Sequence, residues 1–228
     1  MNESGAYFEE ILYPLQNGVL SSVADSGAPF YLTGGTALHR HYFGIRYSDD
    51  LDFFVNRDPD FRAHLNRALA GLRKAGYRLD PDAGRDTPDY VRVVIRASGA
   101  DVLIDFVNDT AVRFGELEAG GLFPRIDSLR NMLTNKITAL GRLEAKDFVD
   151  LWTLCRHLDF RWGDALSEAR EKDLGTAGEV VADLFRSFPP RLFDTVRWRR
   201  KPDREAFLAE LDVIGWDALK GGRNSLAP

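Results

Sequence analysis

Apolar positions at Tyr7, Ile11, Leu12, Leu15, Val19 and Leu20 recur at helical spacing and predict an amphipathic helix over residues 6–23. The turn Ser26-Gly27-Ala28-Pro29 leads into a short apolar strand, Phe30-Tyr31-Leu32, which Gly34-Gly35 breaks. Thr36 is placed to cap a short helix through His41 with its hydroxyl. A second strand, Leu51 to Val55, follows Gly44, and a helix over residues 59–75 ends at Gly76. Tyr77-Arg78-Leu79 and Tyr90 to Ile95 read as strands joined by a polar loop from Pro81 to Pro88. Val102 to Val107 is a further short apolar run rich in β-branched residues. From about Ser128 helical spacing dominates, with breaks at Pro189-Pro190 and Pro202. The pattern predicts an α+β chain without internal repeats: a mixed α/β half over residues 1–125 and a helical half over 126–228.

Composition narrows the class. The 228 residues are 44% hydrophobic and 29% charged, as in an ordinary globular protein with a sizeable core. No apolar run approaches the roughly 20 residues of a membrane span. The start, Met1-Asn2-Glu3-Ser4-Gly5, lacks the basic and apolar regions of a secretory signal, so the expected location is the cytoplasm. The single cysteine, Cys155, excludes an internal disulfide framework and reads as a small core residue. A net charge of −5 argues against a basic coat for nucleic acid, but leaves room for a local basic groove.

Candidate chemistry lies in the carboxylates. Asp50 and Asp52 stand two apart at the start of a strand, so both side chains point to one side of the sheet. Asp105 sits inside an apolar strand, where a carboxylate is costly unless it is paired or bound to a cation. If the two strands are neighbours, the three carboxylates converge and offer the oxygen ligands that Mg²⁺ or Mn²⁺ takes. The alternative is a polar strand entry formed by Asp49, Asp50 and Asp52, with Asp105 a salt-bridge partner. Just upstream, Leu32-Thr33-Gly34-Gly35-Thr36 joins a strand, a glycine pair and a helix start. Glycines let backbone amides approach a phosphate closely, and a helix N-terminus favours anions.

In this order the residues resemble a known family. Gly34-Gly35-Thr36-Ala37-Leu38, then Arg46-Tyr47-Ser48-Asp49-Asp50-Leu51-Asp52-Phe53, then Leu103-Ile104-Asp105-Phe106, are similar to the AbiEii/MenT-type nucleotidyltransferases of the DNA polymerase β superfamily. Lys136-Ile137-Thr138-Ala139, Arg142 and Lys146-Asp147-Phe148-Val149-Asp150 resemble that family's helical motif, with Lys146 standing where an arginine is usual. The resemblance implies a polymerase β-like mixed sheet flanked by helices, followed by a helical half that completes the cleft. It also implies a toxin that uses an NTP and a divalent cation, is encoded with a separate antitoxin, and adds nucleotides to the 3′ end of tRNA. Protein or small-molecule hydroxyls remain alternative acceptors. A non-catalytic nucleotide-binding module and a phosphohydrolase are the rival classes.

The resemblance also implies roles. Gly34, Gly35 and Thr36 bind the triphosphate, Asp50 and Asp52 hold the cation, and Asp105 completes the cluster and acts as general base. Ser48 either donates to a phosphate or caps the strand entry. Arg46 either lines the phosphate path or pairs with Asp49. On one continuous helix Lys136, Leu140, Leu143, Asp147 and Asp150 fall near one stripe. Lys136 then contacts a phosphate or pairs internally with Asp147 or Asp150, and Asp147 is a supporting residue. Arg197-Trp198-Arg199-Arg200-Lys201 is the densest basic stretch, a solvated face or a grip on RNA with Trp198 stacked on a base.

Overall fold

A computed structural model describes residues 3–97 and 99–228, without the side chains of residues 3, 4 and 81–83. The opening Met1-Asn2 lies outside the described residues. The chain divides into two units, residues 1–128 and 129–228.

In the first unit α1 (Glu3–Tyr7) passes through a π-helical turn (Phe8–Leu12) into α2 (Tyr13–Asp25). The π turn re-phases the apolar stripe. Phe8, Leu12, Leu15, Val19 and Leu20 are buried, whereas Ile11, expected on the same stripe, is 37% exposed. Next come β1 (Tyr31–Thr33), α3 (Gly34–Thr36) with its π-helical continuation (Ala37–Tyr42), β2 (Asp50–Asn56) and α4 (Phe61–Lys74). A three-stranded antiparallel run, β3 (Leu79–Asp86), β4 (Tyr90–Ala97) and β5 (Ala100–Asp109), completes the sheet.

The strand order is β1-β2-β5-β4-β3, with β2 and β5 parallel and every other pair antiparallel. Most of the stretch expected as a polar loop after Pro81 is therefore strand β3. Its polar residues fit an edge position, where one side of the ladder faces away from the sheet. The pleat sorts β2 by alternation: Leu51, Phe53 and Val55 are buried, and the residues between them are half-buried. Phe53 stacks on Phe106 of β5 at 5.4 Å between ring centroids, and Phe30 and Phe123 pack on this pair at 5.0 and 5.3 Å. This aromatic layer anchors one face of the sheet, so the polar members of β2, β4 and β5 share the other.

The second unit is helical: α5 (Leu129–Ala139), a 3₁₀ turn (Leu140–Arg142), α6 (Ala145–His157), α7 (Trp162–Lys172), α8 (Gly178–Arg186), a second 3₁₀ turn (Pro190–Thr195) and α9 (Arg204–Lys220). The single helix expected to carry a stripe from Lys136 to Asp150 is broken. Leu143 takes a left-handed conformation, φ 58°, and is 59% exposed. Lys136 on α5 instead meets α6 across the break, with Nζ 2.9 Å from Asp147 Oδ1 and 2.6 Å from Asp150 Oδ2. All three side chains are buried, and this is the internal ion pair left open by the sequence. Cys155 is buried in α6, where burial pushes its thiol pKa up, as expected of a core residue. Asn224 closes the end of that helix by donating to the Cys155 and Leu158 carbonyls, both at 2.7 Å.

Removing Lys136 strands two carboxylates in the interior of the helical unit. Lys136→Ala is expected to lower stability by about 3–5 kcal/mol, read as a fall in the urea midpoint. A midpoint within experimental scatter of the wild type contradicts a structural role for this ion pair.

Candidate active site

The register of the sheet decides what its polar face carries. Asp52 of β2 lies directly opposite Asp105 of β5, and Asp50 is opposite Leu103. On the far side of β2, Thr33 of β1 pairs with Asp52, and on the far side of β5, Arg92 of β4 pairs with Asp105. Thr33, Asp52, Asp105 and Arg92 thus form one row across four strands, with Asp50 two residues along on the same face. The two neighbouring strands expected from the sequence are adjacent, and the three carboxylates share a face.

The glycine pair sits at the end of that row. Gly34 has φ 68°, a left-handed conformation that L side chains rarely adopt, and a Cβ there would overlap Asp52 Oδ2. A Cβ on Gly35 would meet the Arg46 guanidinium and Ser48 Oγ. Gly34 is therefore required by its backbone conformation, whereas a side chain at Gly35 would have to displace the ends of the Arg46 and Ser48 side chains. Ser48 Oγ donates to Asp50 Oδ1 at 3.2 Å, linking the residue before the carboxylate pair to the pair itself. Arg46 is buried beneath the turn and donates to the Tyr47 carbonyl at 3.0 Å. Thr36 departs from its expected role as cap: the N-cap position belongs to Thr33. Thr36 is buried, and its hydroxyl donates to the Asp50 carbonyl at 2.5 Å, fastening the helix start to β2.

Asp105 is held by two residues that sequence reasoning missed. Arg92 binds it in bidentate fashion, Nε to Oδ1 and Nη2 to Oδ2, both at 2.7 Å. The Tyr90 hydroxyl donates to Oδ1 at 3.1 Å. Burial and the Asp105 charge push the Tyr90 pKa up to about 12, so the phenol remains a donor at neutral pH. The hydrogen bond to Asp105 raises the Arg92 pKa above its ordinary value. Asp105 is thus both a neighbour of Asp52 and a salt-bridge partner. The available signal was the alternation Tyr90-Val91-Arg92, which puts both polar residues on one face of β4. Thr33, whose hydroxyl donates to Asp127 Oδ2 at 2.7 Å in the interior, was also missed.

Two carboxylates at i and i+2 of one strand, beside a turn with no Cβ, are a donor set suited to a hard divalent cation. Asp50 and Asp52 fit that requirement, while Arg92 covers both oxygens of Asp105. Among the described residues, the acidic and histidine groups whose ligand atoms all lie within 4.8 Å of one another are Asp58, Asp60 and His64, at the start of α4. There His64 Nε2 lies 3.1 Å from Asp58 Oδ2, and Asp58 Oδ1 accepts from the Asp60 amide at 2.8 Å.

The remaining expected residues lie in the helical unit. Lys136 and Asp147 form the buried ion pair described above. The Trp198 ring belongs to an aromatic cluster with Phe193, Phe207 and Trp152, at 5.0, 5.7 and 6.4 Å, and its indole N–H donates to the Phe193 carbonyl at 2.9 Å. Arg197, Arg199 and Arg200 are exposed.

Comparison with known proteins gives a family and a fold. The family described as nucleotidyl transferase AbiEii toxin of type IV toxin–antitoxin systems matches residues 19–217. No curated protein matches the sequence. JHP933 from Helicobacter pylori has a similar solved structure, with 21% identity, a TM-score of 0.62, and coverage of 92% of this chain and 90% of that one. A second H. pylori structure, provisionally described as a nucleotidyltransferase, has 22% identity, a TM-score of 0.61, and coverage of 91% and 93%. At such identities these likenesses speak for the fold. The family match runs through most of both units, and the chain belongs to the AbiEii family of nucleotidyltransferase toxins.

Proposed function

We propose that this chain transfers NMP from an NTP to the 3′ end of a tRNA, releasing pyrophosphate, and that Asp50 and Asp52 hold the Mg²⁺ or Mn²⁺ the reaction needs. The observation that carries the reading is the row of Thr33, Asp52, Asp105 and Arg92 ending at a glycine turn whose left-handed Gly34 leaves no room for a side chain beside Asp52. In the step itself the acceptor oxygen attacks the α-phosphorus, a new P–O bond forms, and the bond to the bridging oxygen of pyrophosphate breaks. A bound divalent cation supplies charge neutralisation on the phosphates and an acidified acceptor hydroxyl.

The chain's residues do the rest. Gly34 and Gly35 keep the backbone open so that amides can face phosphate oxygens, and Arg46 and Ser48 support the turn from below. Asp105 takes the acceptor proton through Oδ2, which keeps one lone pair beyond the Arg92 contact, whereas Oδ1 already accepts two hydrogen bonds. Lys136 is assigned to the buried ion pair and not to a phosphate. Arg197, Arg199 and Arg200 are the residues offered to an RNA backbone, and Trp198, held in its cluster, supports them without stacking on a base. An antitoxin is the proposed protein partner.

Incubating the protein with labelled NTPs, Mg²⁺ and total tRNA is expected to label tRNA, and Asp50→Ala to reduce labelling to the no-enzyme level. Label appearing on protein or small molecules contradicts the tRNA acceptor. Wild-type NTP binding without turnover contradicts catalysis. Gly34→Ala forces a left-handed alanine, a strain of about 1–2 kcal/mol, and displaces Asp52. Its turnover is expected to drop by about 10²-fold at saturating NTP, as for an active-site shift on the order of 1 Å. Wild-type turnover in this variant removes the steric argument for the turn.

A further inference from the structure

Bidentate pairing with Arg92 occupies both oxygens of Asp105, and the Tyr90 hydroxyl takes a further position on Oδ1. A carboxylate has about four lone-pair sites, so one remains, on Oδ2. Consistent with this, Asp50, Asp52 and Asp105 do not form a set whose ligand atoms all lie within 4.8 Å, although they share a face at adjacent register. The two partners differ in freedom: the Arg92 side chain is 39% exposed, that of Asp105 only 11%. The Arg92 side chain is partly open to solvent, and that of Asp105 is not.

We propose that Arg92 is a resident cation: a positioning residue that offsets the charge of Asp105 and keeps it out of the metal-ligand set of the resting enzyme. The resting protein then takes one divalent ion through Asp50 and Asp52, and Asp105 joins that ligand set only when the nucleotide's phosphates draw Arg92 away. This inference rests on the nucleotidyltransferase reading of the same face. An arginine suits the task because it stays charged at any pH a protein tolerates, so the pairing yields to a competing anion and not to deprotonation. Its planar fork also matches a carboxylate or a phosphate equally well, which makes exchange between them possible.

The test is Mn²⁺ binding to the full chain without nucleotide, followed by EPR of the free ion. The wild type is expected to bind one ion. Arg92→Gln, which removes one positive charge from beside the carboxylates, is expected to bind Mn²⁺ roughly tenfold more tightly or to gain a second ion. Arg92→Lys keeps the charge but loses the fork, and is expected between the two, so its sign alone decides the matter should the glutamine variant fail to fold. A merely structural Arg92 would do the reverse, because a misplaced Asp105 weakens the site. Unchanged or weaker Mn²⁺ binding in the Arg92 variants overturns the proposal. Asp50→Asn separates the two levels of the argument. If it retains the ion, the metal site itself has been misassigned, whatever Arg92 does.

Discussion

Everything on the polar face depends on the parallel pairing of β2 with β5. Side chains alternate along a strand with a period of two, so a slip of one residue would send every functional group to the opposite face. Asp52 meets Asp105 only in the observed register. What holds that register is the buried face, where Phe53 is directly opposite Phe106 and the two rings stack, with Phe30 and Phe123 packed around them. The aromatic layer and the carboxylates are therefore two sides of one constraint.

That constraint creates an electrostatic debt. Like charges directly opposite one another on adjacent strands are destabilising, and Asp105 is largely withdrawn from water as well. Arg92, opposite Asp105 on the other side, offsets part of it, and Tyr90 adds a neutral donor. The helical unit solves a similar problem with Lys136 between Asp147 and Asp150. The solutions differ in exposure. Lys136 is enclosed with its partners and cannot leave without stranding them, whereas Arg92 stands partly open. The first reads as scaffold, the second as part of the chemistry.

The sequence was most legible where the signal is local. Alternation around Asp50 and Asp52, the glycine pair and the apolar surroundings of Asp105 each sit within a few residues, and the mixed sheet with a helical second half follows from such patterns. It was least legible where the answer is non-local or depends on a single irregular turn. Arg92 reaches Asp105 across strands thirteen residues apart in sequence. The π turn that exposes Ile11, and the left-handed Leu143 that divides one expected helix into two, each shift the phase of a periodic pattern; Pro14 just after the first and Gly141 just before the second were the only local marks, and both are compatible with an unbroken helix. Most of edge strand β3, from Pro81 on, was read as a loop because an edge strand need not be apolar.

The two arginines near the row differ in a way that bears on how a site rich in carboxylates can accept a triphosphate. Arg46 is 5% exposed beneath the glycine turn, tied to the backbone at Tyr47, and contributes a positive charge that cannot move far. Arg92 is engaged with a carboxylate while its own side chain is 39% exposed, and the exchange proposed for it would free that carboxylate. A fixed cation at the glycine end lowers the cost of bringing phosphates to that end in particular, because Coulomb attraction falls with distance and is strengthened where water is excluded. An exchangeable cation at the other end keeps the resting carboxylates from repelling one another until substrate supplies a better partner. The order of charges along the row, fixed positive, negative, then exchangeable positive, gives the site a direction before any ligand is bound.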